Sequence, residues 1–366
     1  MPPATFASQF FRRLLEAVHD HDHDVTDAAL LAVSAPRRAQ ARLASALPRA
    51  AARRGWGRRR FELDSAASRL ANVAAGLPGL ERTYALLQDQ ASRDLLVELF
   101  LFRVLGSQHV RSPVAFTDYA RARAGLEVVE RDVAVVPDPH TPRLSRYRVT
   151  GPGGAAITIC SAEPELASVY ALGQYHHPEV HAEPGDVVLD GGAGWGDTAL
   201  YFADAVGATG RVISLEISPV NAEVIAANTA ANPDLPDVIE VVPFALWDRS
   251  GETLHFSEAG QASVLGSGDA SGTAVETRTV DALVADLGIE RLGFVKLDIE
   301  GAEPQALRGM EQTLRRDRPK LAIALYHDPM HFIDLPAAID DLGLGYRFFL
   351  GQGAPGTPET ILFAAA

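Results

Sequence analysis

From Gly185 to the C-terminus, short apolar runs alternate with helical stretches, and this alternation constrains the fold more than any other feature. Val187 to Asp190, Arg211 to Glu216 and Val238 to Val242 read as strands, with helices from Asp197 and over Pro219 to Ala231 between them. Phe294 to Asp298, Lys320 to Tyr326, Tyr346 to Leu350 and Thr360 to Phe363 continue the series. Continuously apolar runs belong in strands covered on both faces. Strands of that kind alternating with helices predict an α/β fold with a doubly wound, Rossmann-like sheet. Ligands of such sheets sit beyond the carboxyl ends of the strands, so the residues that close each strand are where chemistry is sought.

The chain before this region reads differently. Phe10, Phe11, Leu14, Leu15 and Val18 recur at helical spacing, and Tyr84 to Leu105 forms a second helical stretch that Gly106 would stop. Residues 1–110 are therefore expected to form a separate helical N-terminal domain used for assembly or substrate capture. Prolines and glycines break up residues 111–180, with short β-type runs at Arg146 to Val149 and Ala156 to Ile159. That segment reads as a linker with a small β element, leading into the ligand-binding domain over 181–366.

Composition excludes several classes. Hydrophobic residues make up 47 % of the 366, enough for a sizeable core. One cysteine, Cys160, rules out a disulfide framework within the chain and a Cys-rich zinc site. A net charge of −14 argues against general nucleic-acid binding. The best apolar run, Leu95 to Leu105, contains Glu98 and Arg103 and is too short for a membrane span. With no charged-then-apolar leader at the start, a cytoplasmic location is expected.

The first strand runs into Asp190-Gly191-Gly192-Ala193-Gly194-Trp195-Gly196-Asp197. Glycines allow a tight turn and a close ligand approach, and the following helix offers free N–H groups. Nicotinamide enzymes use such loops too. Two details favour S-adenosylmethionine (SAM). Asp190 stands before the glycines, where it would pair with an ammonium and repel a pyrophosphate. The spacing of Asp190, Gly192 and Gly196 fits Asp-x-Gly-x-x-x-Gly, while Asp197 occupies the third glycine's place in the dinucleotide pattern. Glu216, closing the second strand, is placed to accept from ribose hydroxyls in either cofactor. The plainer alternative makes Asp190 a turn cap and Glu216 a solvated strand end.

A second cluster follows the fourth major strand: Lys296-Leu297-Asp298-Ile299-Glu300-Gly301-Ala302-Glu303-Pro304. Asp298 falls at the carboxyl end of its strand. Pro304 suits a first helical turn, which makes Glu303 a helix cap by the simplest reading. The next strand closes in Tyr326-His327-Asp328, which sets His327 on the same edge. Asp298 and His327 are thus the expected catalytic pair, with a neutral imidazole as base and Asp298 orienting it, holding the substrate or serving as the base itself. No metal ligand is assigned. A divalent ion on Asp298 and Glu300 is the lesser alternative.

Taken in order, these blocks resemble the FkbM-like methyltransferase family across most of residues 165–366. The resemblance rests on Gln174-Tyr175, on Gly185 to Gly192, on Trp195 to Leu200, on Ala245-Leu246-Trp247-Asp248, on Asp298 to Glu303, on Pro319 to Ile323 with Tyr326-His327, and on Glu359-Thr360. It implies a methyltransferase sheet, SAM as cofactor, and an acceptor hydroxyl on a sugar, glycan or polyketide-type product. It also implies a cofactor site built from Gln174, Tyr175, Asp190, Gly192, Gly196, Thr198, Glu216, Ala245, Trp247 and Asp298. Similar members carry a histidine where this chain reads Leu350-Gly351-Gln352-Gly353.

Two other functions stay open at this level: a nicotinamide-dependent oxidoreductase on a similar sheet, and a non-catalytic SAM-fold module that assembles through its N-terminal helices into a homo-oligomer. The run His19 to Asp24 reads as a solvated helix end. Arg37 to Arg60 reads as an Ala/Arg helix, because arginine supplies 31 of the 33 basic residues throughout the chain.

Overall fold

The computed structural model describes residues 4–19, 57–106, 110–136, 143–257, 264–266 and 273–366. The stretch Asp20 to Asp24 and the Arg-rich segment up to residue 56 lie outside the described residues.

The centre is a seven-stranded sheet. In spatial order its strands are β13 (Arg347–Gln352), β14 (Thr360–Ala365), β12 (Lys320–Ala324), β11 (Phe294–Leu297), β4 (Val187–Gly191), β5 (Arg211–Leu215) and β6 (Ile239–Val242). Only β14 runs antiparallel to its neighbours. The strands at its centre are buried on both faces, which explains their unbroken apolar runs. Helices α6 (Asp197–Val206), α7 (Pro219–Ala230), α8 (Val280–Asp286), α9 (Glu303–Arg308), α10 (Glu311–Asp317) and α11 (His331–Asp341) connect them. The Rossmann-like sheet expected from the sequence is present. Most of the strand ends read from the sequence lie within one or two residues of those found.

The helices near the N-terminus do not stand apart as expected. They are α1 (Phe6–His19), α2 (Gly57–Leu86) and α3 (Gln90–Leu105). Phe6, Phe10, Leu80, Leu96 and Phe100 belong to one continuous core with Leu189, Val295 and Leu321 of the sheet. Phe100 meets Phe332 of α11 edge to face at 5.4 Å, and Thr83 Oγ1 donates to the Phe332 carbonyl at 2.8 Å. Ser92 Oγ accepts from Leu350 N at 2.9 Å, which ties α3 to β13. The apolar faces of these helices are thus buried against one another and in a core shared with the sheet. The stretch read as one helix from Tyr84 also divides in two. Leu87 leaves the helix to bridge Phe348 in β13, and Asp89 restarts it by accepting from Ser92 N at 2.6 Å.

Residues 111–180 hold more order than a linker. Helix α4 (Phe116–Ala124) precedes an antiparallel sheet of β1 (Glu127–Val133), β2 (Leu144–Thr150) and β3 (Ala156–Ser161), followed by the short α5 (Glu163–Leu166). This sheet is fixed to the main domain by Asn228 and Asn232 of the α7 region, whose side chains pair with the backbones of Cys160 and Thr158. A further small sheet, missed in the sequence, is formed by β7 (Ala245–Leu246), β10 (Thr273–Arg278), β8 (Thr253–Ser257) and β9 (Val264–Gly266).

Candidate active site

The carboxyl ends of β4, β5 and β11 open on one shallow cleft, lined by Gly192, Glu216, Phe244, Leu246, Asp298 and Glu300 among others. Gly192 stands at the crossing of two loops, with φ +80°, and a Cβ there would lie 2.0 Å from the Asp298 carbonyl oxygen. Glycine is required at that point by the close approach of the two chains as well as by its backbone angle. Gly196, at φ +88°, caps α6.

Asp190 does not line this cleft. It is 0 % exposed, and its carboxylate accepts from Thr198 Oγ1 at 2.9 Å and lies 3.2 Å from Lys296 Nζ. The direct contact to a ligand ammonium expected of Asp190 is therefore not offered by this geometry. Lys296 stands opposite Asp190 in the register of β11 and β4 and fills that role. Its Nζ also donates to the carbonyls of Gly191 at 3.0 Å and Gly192 at 2.5 Å. Burial works against the charge on Lys296, but Asp190, Asp298 and Asp197 outweigh it and hold the pKa up. Thr198, also expected at the cofactor, is buried beneath the loop with Asp190.

Glu216 does line the cleft. Its Oε1 accepts from Ser218 N at 2.8 Å, and burial raises its pKa to about 7 against hydrogen bonds from Ser218, Asn221 and Gly194. Ala245 lines the cleft with Leu246 and Phe244, whereas Trp247 lies outside the lining. Its backbone carbonyl packs on Gly309, where a Cβ would come within 2.1 Å.

The second cluster converges on Asp298. Tyr175 donates to its Oδ2 at 2.5 Å, and Tyr326 donates to Oδ1 and Oδ2 at 2.8 and 2.9 Å. Tyr175 is buried and Tyr326 partly so, and desolvation together with the Asp298 charge pushes both pKa values well up, so they remain donors. Gln174 sits beside Tyr175 and donates to Glu359, whose own pKa is raised to about 8 by burial and the nearby Asp298. Glu300 and Glu359 adopt positive φ, +55° and +61°. Left-handed backbone at non-glycine residues costs of order 1 kcal/mol and gathers at functional sites.

His327 reaches the same cluster. Its Nδ1 lies 2.9 Å from Glu303 Oε1, and its Nε2 lies 3.4 Å from both Asp298 Oδ1 and Glu300 Oε2. Burial lowers its pKa, yet the Glu303 hydrogen bond and the charges of Asp298, Glu303 and Glu300 prevail and raise it to about 9. At neutral pH the ring is an imidazolium, not the neutral base expected from the sequence. Glu303 is not the helix cap, a position held by Ala302. The Glu303 carboxylate is 0 % exposed and accepts from Ile299 N at 2.9 Å while holding His327.

Sequence reasoning thus passed over Lys296, Tyr326, Glu359 and the full role of Glu303. A lysine inside an otherwise apolar strand was the available signal for Lys296, since a buried ammonium demands an acidic partner.

Residues 173–348 match the family described as Methyltransferase FkbM domain. Among solved structures, the chain is similar to the methyltransferase FkbM from Methylobacillus flagellatus KT, with a TM-score of 0.52 and 17 % identity. That match covers 80 % of this chain, and the chain spans 60 % of that protein's length. Fibrillarin from Aeropyrum pernix, in complex with natively bound S-adenosyl-L-methionine, matches with a TM-score of 0.36 and 14 % identity, covering 66 % of this chain and 100 % of that one. No curated protein sequence matches the chain. The glycine loop, the acid after the second strand and Asp298 with Tyr175, Tyr326 and His327 all lie inside the span that matches the FkbM methyltransferase domain, while Glu359 lies beyond it.

Proposed function

We propose that the chain is a SAM-dependent O-methyltransferase acting on a hydroxyl of a sugar, glycan or polyketide-type product. The observation that carries this reading is that Glu216 and Asp298, from the ends of two different strands, line one cleft on either side of Gly192. The residues present fit the cofactor. Leu215, Ile217, Phe244 and Leu246 give the cleft an apolar wall suited to an adenine, and Glu216 in the same lining would accept from the ribose hydroxyls. The bound cofactor supplies an electrophilic sulfonium methyl.

The chain's own residues supply position and a proton acceptor. Tyr175 and Tyr326 fix the Asp298 carboxylate from two sides, which leaves it free lone pairs toward the cleft. Asp298 takes the proton of the acceptor hydroxyl as that oxygen becomes nucleophilic. His327, held by Glu303, balances the charge of the carboxylates around it. Alignment of hydroxyl and methyl group accounts for much of the acceleration in such transfers.

Calorimetry with SAM, S-adenosylhomocysteine and NAD tests the first half: binding of the first two and not of NAD is expected. Transfer of labelled methyl from SAM to hydroxylated sugars, glycans and polyketides tests the second half, with an alkali-stable ether as the expected product. NAD binding without SAM binding overturns the assignment, and a methyl ester or N-methyl product overturns the O-specificity.

A further inference from the structure

We propose that His327, Asp298 and Glu300 form a site for a divalent cation of the Mn²⁺ or Zn²⁺ type, with Glu303 fixing the imidazole from behind. The site deepens the methyl-transfer reading, because it faces the cleft in which that reading places the acceptor hydroxyl.

The imidazole is set up as a ligand. The His327 side chain is 10 % exposed, and its Nε2 has no hydrogen-bond partner. That nitrogen nevertheless lies 3.4 Å from Asp298 Oδ1 and 3.4 Å from Glu300 Oε2. Ligand atoms about 2.1 Å from a shared cation stand roughly 3.0–3.4 Å from their neighbours, according to whether the shell is octahedral or tetrahedral. Each of these two spacings matches neighbouring ligands around one cation as well as an ion pair with the imidazolium.

The opposite ring nitrogen makes the contact that metal-bound histidines characteristically make, to a carboxylate that fixes the ring. Here it is Glu303 Oε1 at 2.9 Å, itself anchored by Ile299 N. Asp298, Glu303 and His327 each present one ligand-type atom within 4.8 Å of the others, and Glu300, outside that group, reaches it through His327 Nε2 at 3.4 Å. Lys296, the neighbouring ammonium, is already engaged by Asp190 and the Gly191 and Gly192 carbonyls. The corner is thus rich in carboxylates around one unsatisfied nitrogen.

The donor set selects the ion. One imidazole with two carboxylates suits a borderline cation better than Mg²⁺ or Ca²⁺, which prefer oxygen alone. On binding, the cation replaces the proton on Nε2, which leaves to solvent. Asp298 and Glu300 line the cleft, so the open positions of the ion face the acceptor. There it would hold the hydroxyl oxygen and lower its pKa.

The test uses the full chain stripped with a chelator. Mn²⁺ binding is followed by the electron paramagnetic resonance of the free ion, Zn²⁺ competes for the site, and S-adenosylhomocysteine binding is measured on each variant. One tight Mn²⁺ per chain is expected. His327→Gln and Glu300→Gln should each weaken it at least tenfold, and Glu303→Gln roughly 10- to 100-fold. S-adenosylhomocysteine affinity should stay within a few-fold in all three. Wild-type protein that binds Mn²⁺ and Zn²⁺ no better than His327→Gln overturns the site. If His327→Gln does not fold, Glu300→Gln at the half-open rim decides, and equal affinity in that variant also overturns it. Loss of the cation site with S-adenosylhomocysteine binding intact removes this inference alone. Cation binding without S-adenosylhomocysteine binding removes the methyl-transfer reading alone.

Discussion

Lys296 Nζ lies 3.2 Å from Asp190 Oδ1, and the two residues are register partners on adjacent parallel strands. The pair ties the strand that opens the glycine loop to the strand that carries Asp298. Because Lys296 also donates to Gly191 and Gly192, one buried ammonium sets the path of the loop. Removing either partner strands a buried charge, which costs about 3–5 kcal/mol. Lys296→Met and Asp190→Ala should each lower the stability to urea by that order, and the double variant should lose less than the two losses added together. Strictly additive losses would show that the pair is not coupled. Asp190→Ala should also weaken SAM binding, through the loop it supports rather than through a contact of its own.

The second prediction concerns pH. Glu216 has its pKa raised by burial from the ordinary carboxylate value to about 7. The folded state therefore binds a proton more tightly than the unfolded one, and stability from this group is greatest in acid and falls as pH rises toward 7. Glu216→Gln removes the titration. Without cofactor, wild-type and variant should melt at similar temperatures near pH 5, and the variant should be the more stable of the two at pH 8. A difference that does not change with pH would refute the assignment. In the presence of SAM the order at pH 8 should reverse, because the glutamine lacks the charged acceptor for the ribose hydroxyls.

A third expectation concerns the helices before residue 110. Phe100 contacts Phe6 at 5.8 Å and Phe332 at 5.4 Å in the core shared with the sheet. Phe100→Ala should cost about 3–5 kcal/mol. That loss should appear in one unfolding transition that includes the SAM-binding domain. A fragment that starts at Val110 should be insoluble or unfolded, since it exposes the surface under Leu80, Leu96 and Phe100. Two separate transitions in the full chain, or a stable fragment, would restore an independent N-terminal domain.

The parts legible in the sequence were those fixed by local pattern. The strands from Val187 to Thr360 announce themselves because both faces are buried, and the glycine loop because its backbone angles admit little else. What stayed hidden was non-local. Phe10, Phe11 and Leu14 read as a helical stripe, and nothing in that stripe says that it packs into the core of the sheet domain rather than into a bundle of its own. Asp190 was placed correctly at a strand end. Its partner is set by the register of β4 against β11, which the sequence of either strand does not specify. His327 was located at the right edge, but the number of carboxylates around it depends on a left-handed turn at Glu300 and on Glu303 folding back beneath the ring.

The last prediction bears on catalysis. Asp298 accepts from Tyr175 and Tyr326 and faces the cleft, while His327 is an imidazolium at neutral pH and has no vacancy for a proton. The proposed proton acceptor is therefore the carboxylate. Asp298→Asn keeps the size and an acceptor oxygen for the tyrosines but removes the basicity. Its kcat on an acceptor found by labelled-methyl transfer should fall by roughly 10²- to 10⁴-fold. Tyr326→Phe removes one donor to a charged group, a loss of about 1.5–3 kcal/mol, and should lower kcat by roughly 10- to 150-fold. S-adenosylhomocysteine affinity should change less than tenfold in both variants, which separates a chemical role from a defect in the cofactor cleft. If Asp298→Asn retains near-normal kcat, the carboxylate is not the acceptor and the proton must leave by another route.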